Sequence, residues 1–136
     1  MTDLVTILLA LLAAIAQPTL PDTATDLRGY ATWYDAPSSH DAAAGPALRR
    51  MLGRDWRGSW VRVSHVGDGE VRTVNVRLSD WCLCRDRHGE PTLIDLDDRA
   101  FDELGSLGAG VIRVSIEEIQ GVPTVLPPTD TGGETP

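Results

Sequence analysis

The chain holds 136 residues, 42% hydrophobic and 24% charged, which suits one compact domain with polar ends and a modest core. Its formal charge is -8, and all twelve basic residues are arginines. That surplus of acid argues against a nucleic-acid partner, because tracking phosphates takes a basic surface.

Leu4–Ala16 (LVTILLALLAAIA) is an apolar run of thirteen residues, short of the roughly 20 a membrane-spanning helix needs. It fits the apolar region of a secretory signal, with Ala14-Ile15-Ala16 as the cleavage site before Gln17. Asp3 and the lack of any Arg or Lys in the leader depart from that pattern. A retained hydrophobic helix, used as an anchor or packed into an assembly, is the alternative; a membrane is then met only through residues 4–16. Residues 17–27 read as a polar linker. Residues 119–136, with four prolines, read as a disordered tail.

The folded part is expected between residues 28 and 118. Gly29–Tyr34 is a short β-prone run ended by Asp35-Ala36-Pro37. Ser38–Gly58 is rich in Ala, Gly and Arg, with only a weak helical stretch near Pro46–Leu52. Trp60–Val66 places Val61, Val63 and His65 on one parity, turns at Gly67-Asp68-Gly69, and returns as Val71–Asp80 with Val74, Val76 and Leu78 on one face. Trp81–Pro91 is a polar loop, and Leu93–Leu96 a brief apolar strand. Asp97 is placed to cap a helix over Asp98–Leu104 that buries Ala100, Phe101 and Leu104 and stops at Gly105. Gly110–Ile116 alternates Ile112, Val114 and Ile116 against Arg113 and Ser115. Short strands with one short helix predict a mainly β fold, a small barrel.

Four of these stretches, in this order, resemble the double-psi β-barrel family of rare lipoprotein A, expansins and related glycosidases. Gly29-Tyr30-Ala31-Thr32-Trp33-Tyr34 is similar to the family's opening Gly-x-Ala-Ser-Trp-Tyr. Val61-Arg62-Val63 with Val74–Asp80 is similar to its central hairpin, and Leu93-Ile94-Asp95-Leu96 to its Ile-Asp-Leu-Ser segment. Ala100–Leu107 with Gly110–Val114 resembles its helix and closing strand. The resemblance implies a six-stranded double-psi barrel and a surface for peptidoglycan or a related polysaccharide. It also implies one of two activities. One is a lytic transglycosylase that cuts glycan strands; the other is an expansin-like module that binds without cutting. A structural or virion-associated protein with assembly partners is a third reading. The first two place the chain in the cell envelope or outside the cell.

By resemblance Asp80 and Asp95 are the catalytic candidates. A lytic transglycosylase needs one carboxylic acid that protonates the glycosidic oxygen and then takes the proton of the sugar's C6 hydroxyl as the 1,6-anhydro ring closes. Asp80 shares the parity of Val74, Val76 and Leu78, so it is expected on the inner face, desolvated and raised in pKa, with Asp95 as a tuning neighbour. Alternatively, either Asp bonds only backbone amides at a strand end. Trp33, Tyr34 and Trp81 are candidate sugar-stacking residues, while Trp56 and Trp60 are assigned to structure.

Two features depart from the lytic pattern. Ser39–Ala47 (SHDAAAGPA) lacks in register the family's Glu and His, which His40 and Asp41 do not obviously replace. Asp80-Trp81-Cys82-Leu83-Cys84 stands where Asp-Arg-Gly-Pro is usual, and no lipid-attachment cysteine is present. Cys82 and Cys84 are the only cysteines; on extended chain their Cα separation is near the upper limit for a disulfide, so bridge and free thiols both stay open. No cofactor is called for. A metal would have to draw on His40, His65 or His88, and no ligand spacing supports one.

Overall fold

A computed structural model describes residues 26–120. The leader at 1–16, linker residues 17–25 and tail residues 121–136 lie outside the described residues, and with them the signal, anchor and disorder expectations placed there.

Six strands close into a barrel in the order β1-β5-β2-β4-β3-β6. They are β1 (Leu27–Tyr34), β2 (Asp41–Ala44), β3 (Trp60–Gly67), β4 (Glu70–Trp81), β5 (Thr92–Asp97) and β6 (Ile112–Ile119), with helices α1 (Pro46–Leu52) and α2 (Asp98–Leu104). β1 pairs with β5, and β2 with β4, in parallel; the other four contacts are antiparallel. Closure leaves no free sheet edge. The mainly β, six-stranded barrel expected from the sequence is present.

The β3–β4 hairpin runs in unbroken register from Trp60↔Arg77 to Gly67↔Glu70. Asp68 and Gly69 make its turn with φ of 52° and 77°, the left-handed pair that a two-residue hairpin favours. Val61, Val63, Val74, Val76 and Leu78 point inward and are buried. Val66 and Val71 face each other on the outer parity, beyond the residues of β3 that pair with β6, and are 66% and 62% exposed. Asp97 caps α2 as expected, accepting from Ala100 N–H, and Ala100, Phe101 and Leu104 are buried beneath it.

Two features differ from the sequence reading. Pro46–Leu52 is a full helix, so the barrel carries two short helices. Just before it, Asp41–Ala44 is the sixth strand, inside a stretch without strand signals. Ala is a helix former by propensity, but Ala42, Ala43 and Ala44 hydrogen-bond to β4 on one side and β5 on the other. Tertiary pairing decides the conformation, and the small side chains let β2 lie deep: Ala42 and Ala44 are 0% exposed.

Gly45 joins β2 to α1. A Cβ there would stand 2.6 Å from Thr92 O and 2.8 Å from Leu93 O, while its own N–H donates to Leu93 O at 2.8 Å. These neighbours are backbone and cannot swing aside, so Gly45→Ala must push β5 away. Its expected effect is a melting temperature lowered by about 5–15 °C, read by circular dichroism; an unchanged midpoint would show that the junction relaxes freely.

Candidate functional site

Strand pairing assembles the site from distant segments. Thr32 on β1 stands opposite Asp95 on β5, Asp95 opposite Ala43 on β2, and Ala43 opposite Asp80 on β4. Thr32, Asp95, Ala43 and Asp80 thus form one row across four strands. At about 4.8 Å per inter-strand step the row is roughly 14 Å long, and the two aspartates are about 10 Å apart at Cα. Ala43 between them is one methyl group tall.

Asp95 is half-buried, and its Oδ1 accepts a 2.8 Å hydrogen bond from the Thr32 hydroxyl. Burial raises its carboxyl above the ordinary aspartate range, and the Thr32 bond offsets part of that rise. The expected contribution of a neighbouring Asp80 charge is not among the causes. Tyr34 is the group that senses both. Its phenol is raised first by burial, then by the charges of Asp80, Asp95, Asp41 and Asp97.

Asp80 is not where parity places it. The β2–β4 register passes from Ala42↔Leu78 to Ala43↔Asp80, so Ser79 is an extra, bulged residue. A bulge breaks the two-residue alternation, and Asp80 emerges exposed instead of following Leu78 inward. Its Oδ1 accepts from Trp81 N–H at 2.8 Å, the strand-end amide contact that was the alternative to a desolvated acid. The half-buried carboxyl of the row is Asp95.

The three aromatic candidates go different ways. Trp81 follows Asp80, is 48% exposed, and has the Arg49 guanidinium 5.6 Å from its ring centroid. Tyr34 lies on the parity of Thr32, on the side of the acids. Trp33 has the other parity, and its indole N–H donates to Leu107 O at 3.0 Å, which ties it to the turn after α2. Trp56 packs against the core as assigned.

Beyond Trp81, Cys82 and Cys84 form a disulfide across a Cα separation of 5.1 Å, well inside the usual range. The segment is drawn in from full extension, with Leu83 at its apex 76% exposed. Cys82 N–H donates to Ala44 O at 3.1 Å, carrying the β2–β4 pairing one residue further. His40 is occupied structurally: its ring nitrogens contact Ser39 Oγ at 2.7 Å and Glu103 Oε1 at 3.0 Å, and its N–H donates to Asp97.

Thr32 and Arg49 were not singled out by the sequence. Strand alternation could have placed Thr32 beside Tyr34. No local signal links it to Asp95, 63 residues away, or Arg49 to Trp81.

The fold is that of expansin-like double-psi barrels. The chain is similar to an expansin from Clavibacter michiganensis in its apo form, with 21% identity, a TM-score of 0.52, and coverage of 71% of this chain and 51% of that one. An aspartate-to-asparagine variant of that expansin in complex with cellohexaose matches at 20% identity, with the same TM-score and coverage. The chain therefore spans about half the length of those expansin structures. It is also similar to a Streptomyces papain inhibitor, with 25% identity, a TM-score of 0.53, and coverage of 74% of this chain and 99% of that one. No family model matches the sequence, and no curated protein does.

Proposed function

We propose that this barrel binds an extended cell-wall glycan along the row Thr32, Asp95, Ala43 and Asp80, with Tyr34 and Trp81 as flanking aromatic groups. The observation that carries the reading is the pairing itself: a threonine and two aspartates from three strands stand in register, with the Tyr34 phenol close enough to feel the charge of both acids. Carboxylates and a hydroxyl accept and donate bonds to sugar hydroxyls, and an indole face stacks on the apolar side of a sugar ring. The likeness to an expansin crystallised with cellohexaose supports a polysaccharide as the ligand class. Such a module works at the cell envelope or outside the cell.

The Asp95 environment favours a second reading, lytic cleavage of peptidoglycan. Burial shifts the Asp95 carboxyl towards its protonated form, the form that donates to a glycosidic oxygen. In this reading Asp95, rather than Asp80, gives its proton to the leaving oxygen. The resulting carboxylate takes the C6 hydroxyl proton as that oxygen closes the 1,6-anhydro ring, and no water enters. Asp80, exposed and amide-bonded, orients the polymer.

Incubation of the chain with purified peptidoglycan sacculi tests both. Sedimentation with the sacculi is expected, and its absence would defeat the glycan-binding proposal. Mass spectrometry of the soluble fraction separates the readings: 1,6-anhydro muropeptides establish cleavage, while retention without them leaves a binding module.

A further inference from the structure

Beside the acidic row the charge reverses. Residues 45–60 contain Arg49, Arg50, Arg54 and Arg57 against one acid, Asp55, in a chain of net charge -8. Among the described residues none of these four arginines forms an ion pair with a carboxylate. Arg49 lies over the Trp81 ring at 5.6 Å and Arg57 over the Trp56 ring at 4.8 Å from the centroids. Between these two stacks is a shallow pocket of about 570 Å³ lined by Pro46, Arg49, Arg50, Gly53 and Trp56.

The pocket is held in place from two sides. Trp56 packs against the hydrophobic core, so its ring is a fixed wall. Arg57 donates to the carbonyl of Ser79, the bulged residue next to Asp80, which ties the loop after α1 to the strand that carries the site. A guanidinium laid on an indole keeps its plane fixed and its N–H edge free, so little freedom is lost when that edge meets a carboxylate. Uncompensated guanidinium groups gathered on one surface repel one another, and a bound anion relieves that repulsion.

We infer that this pocket is a carboxylate-binding subsite continuing the glycan face beyond Trp81, so that the polymer held is a glycan bearing free carboxylates, such as those of peptidoglycan stem peptides, rather than a wholly neutral one. The inference rests on the proposed glycan-binding reading and specifies its substrate class. Arg49 and Arg50 bind the carboxylate, Trp56 walls the subsite, and the Asp95 row holds the neutral sugars beside it.

The test compares sedimentation of the full chain with native sacculi and with sacculi whose carboxylates have been amidated. The wild type is expected to bind amidated sacculi about tenfold more weakly. The Arg49→Gln/Arg50→Gln variant is expected to bind native sacculi about tenfold more weakly and to be indifferent to amidation. An Arg62→Gln/Arg72→Gln variant removes the same charge from the β3–β4 hairpin and should keep the wild-type response. Melting curves of each variant confirm that it is folded. Equal wild-type binding to native and amidated sacculi overturns the carboxylate subsite but leaves glycan binding standing. A hairpin variant that loses affinity as the pocket variant does overturns it also, by showing that net charge alone matters. Binding to neither material sinks the glycan reading and this inference together.

Discussion

Asp95→Asn is expected to weaken binding to sacculi by about 10–100-fold, the effect of losing a hydrogen bond to a charged group, worth about 1.5–3 kcal/mol. The same substitution is expected to leave the fold intact or to raise its melting temperature by a few degrees. Asn keeps an oxygen that can accept from the Thr32 hydroxyl, and it removes a carboxylate whose ionised form is disfavoured by burial. The sign follows from the raised pKa. A carboxyl raised in the folded state stabilises the protein fully below the unfolded value of about 3.9. That stabilisation is lost as pH rises through the folded value. The stability advantage of Asn over Asp should therefore be largest near neutral pH and shrink towards pH 4. Stability spent on an unfavourable group is common where that group has a task. Isothermal binding and paired melts at pH 4 and 7 measure both halves. Wild-type affinity in the Asn variant would remove Asp95 from the site. Thr32→Val should cost less alone, and its effect should largely vanish in the Asp95→Asn background, because the two side chains act as one unit.

The parts of the fold legible in the sequence are those fixed by short-range periodicity. Val61, Val63, Val74, Val76 and Leu78 alternate, and the hairpin they predict is there in register. Asp97 followed by Ala100, Phe101 and Leu104 gives both the cap and the buried face of α2. What escaped is set by long-range contact. Ala42-Ala43-Ala44 has no strand pattern of its own and becomes a strand only because β4 and β5 pair with it. The bulge at Ser79 follows from fitting β4 against β2, so nothing within VRLSDW announces it. That one extra residue turns Asp80 from the expected inner acid into an exposed group. Both aspartates were legible as candidates, but the assignment of acid and neighbour depended on this register, and the environments are the reverse of those expected. Likewise Trp33 and Tyr34 are adjacent in sequence, yet alternation sends one to the Leu107 carbonyl and the other towards the acids.

Asp97→Ala is expected to be the most damaging single change in the barrel, lowering its melting temperature by about 10–20 °C. The Asp97 side chain is fully buried. Its Oδ2 accepts from His40 N–H at 3.0 Å and from Ala100 N–H at 3.3 Å, and its Oδ1 from Arg99 at 3.0 Å. Removing it strands amides at about 1–3 kcal/mol each and deletes the α2 cap. His40 has a φ of 61°, a left-handed conformation that costs a non-glycine residue free energy, and the Asp97 bond is one of the contacts that hold it. The His40 carbonyl in turn accepts from Arg77 N–H at 2.9 Å, which fixes where β2 begins and so which residue of β2 stands between Asp95 and Asp80. Burial alone would raise the Asp97 pKa, but the bonds from His40, Arg99 and Ala100 overcome it and hold the carboxyl below its usual value. A depressed carboxyl stabilises the fold above its unfolded pKa of about 3.9 and loses that contribution as pH falls through the folded value. Wild-type stability should thus decline below about pH 4, and the Asp97→Ala variant should lack that part of the decline. Arg99 is 51% exposed, so Arg99→Gln should cost only a few degrees. Equal losses in the two variants would show that the ion pair, and not the amide bonds to His40 and Ala100, carries the effect, and would free the start of β2 from dependence on Asp97.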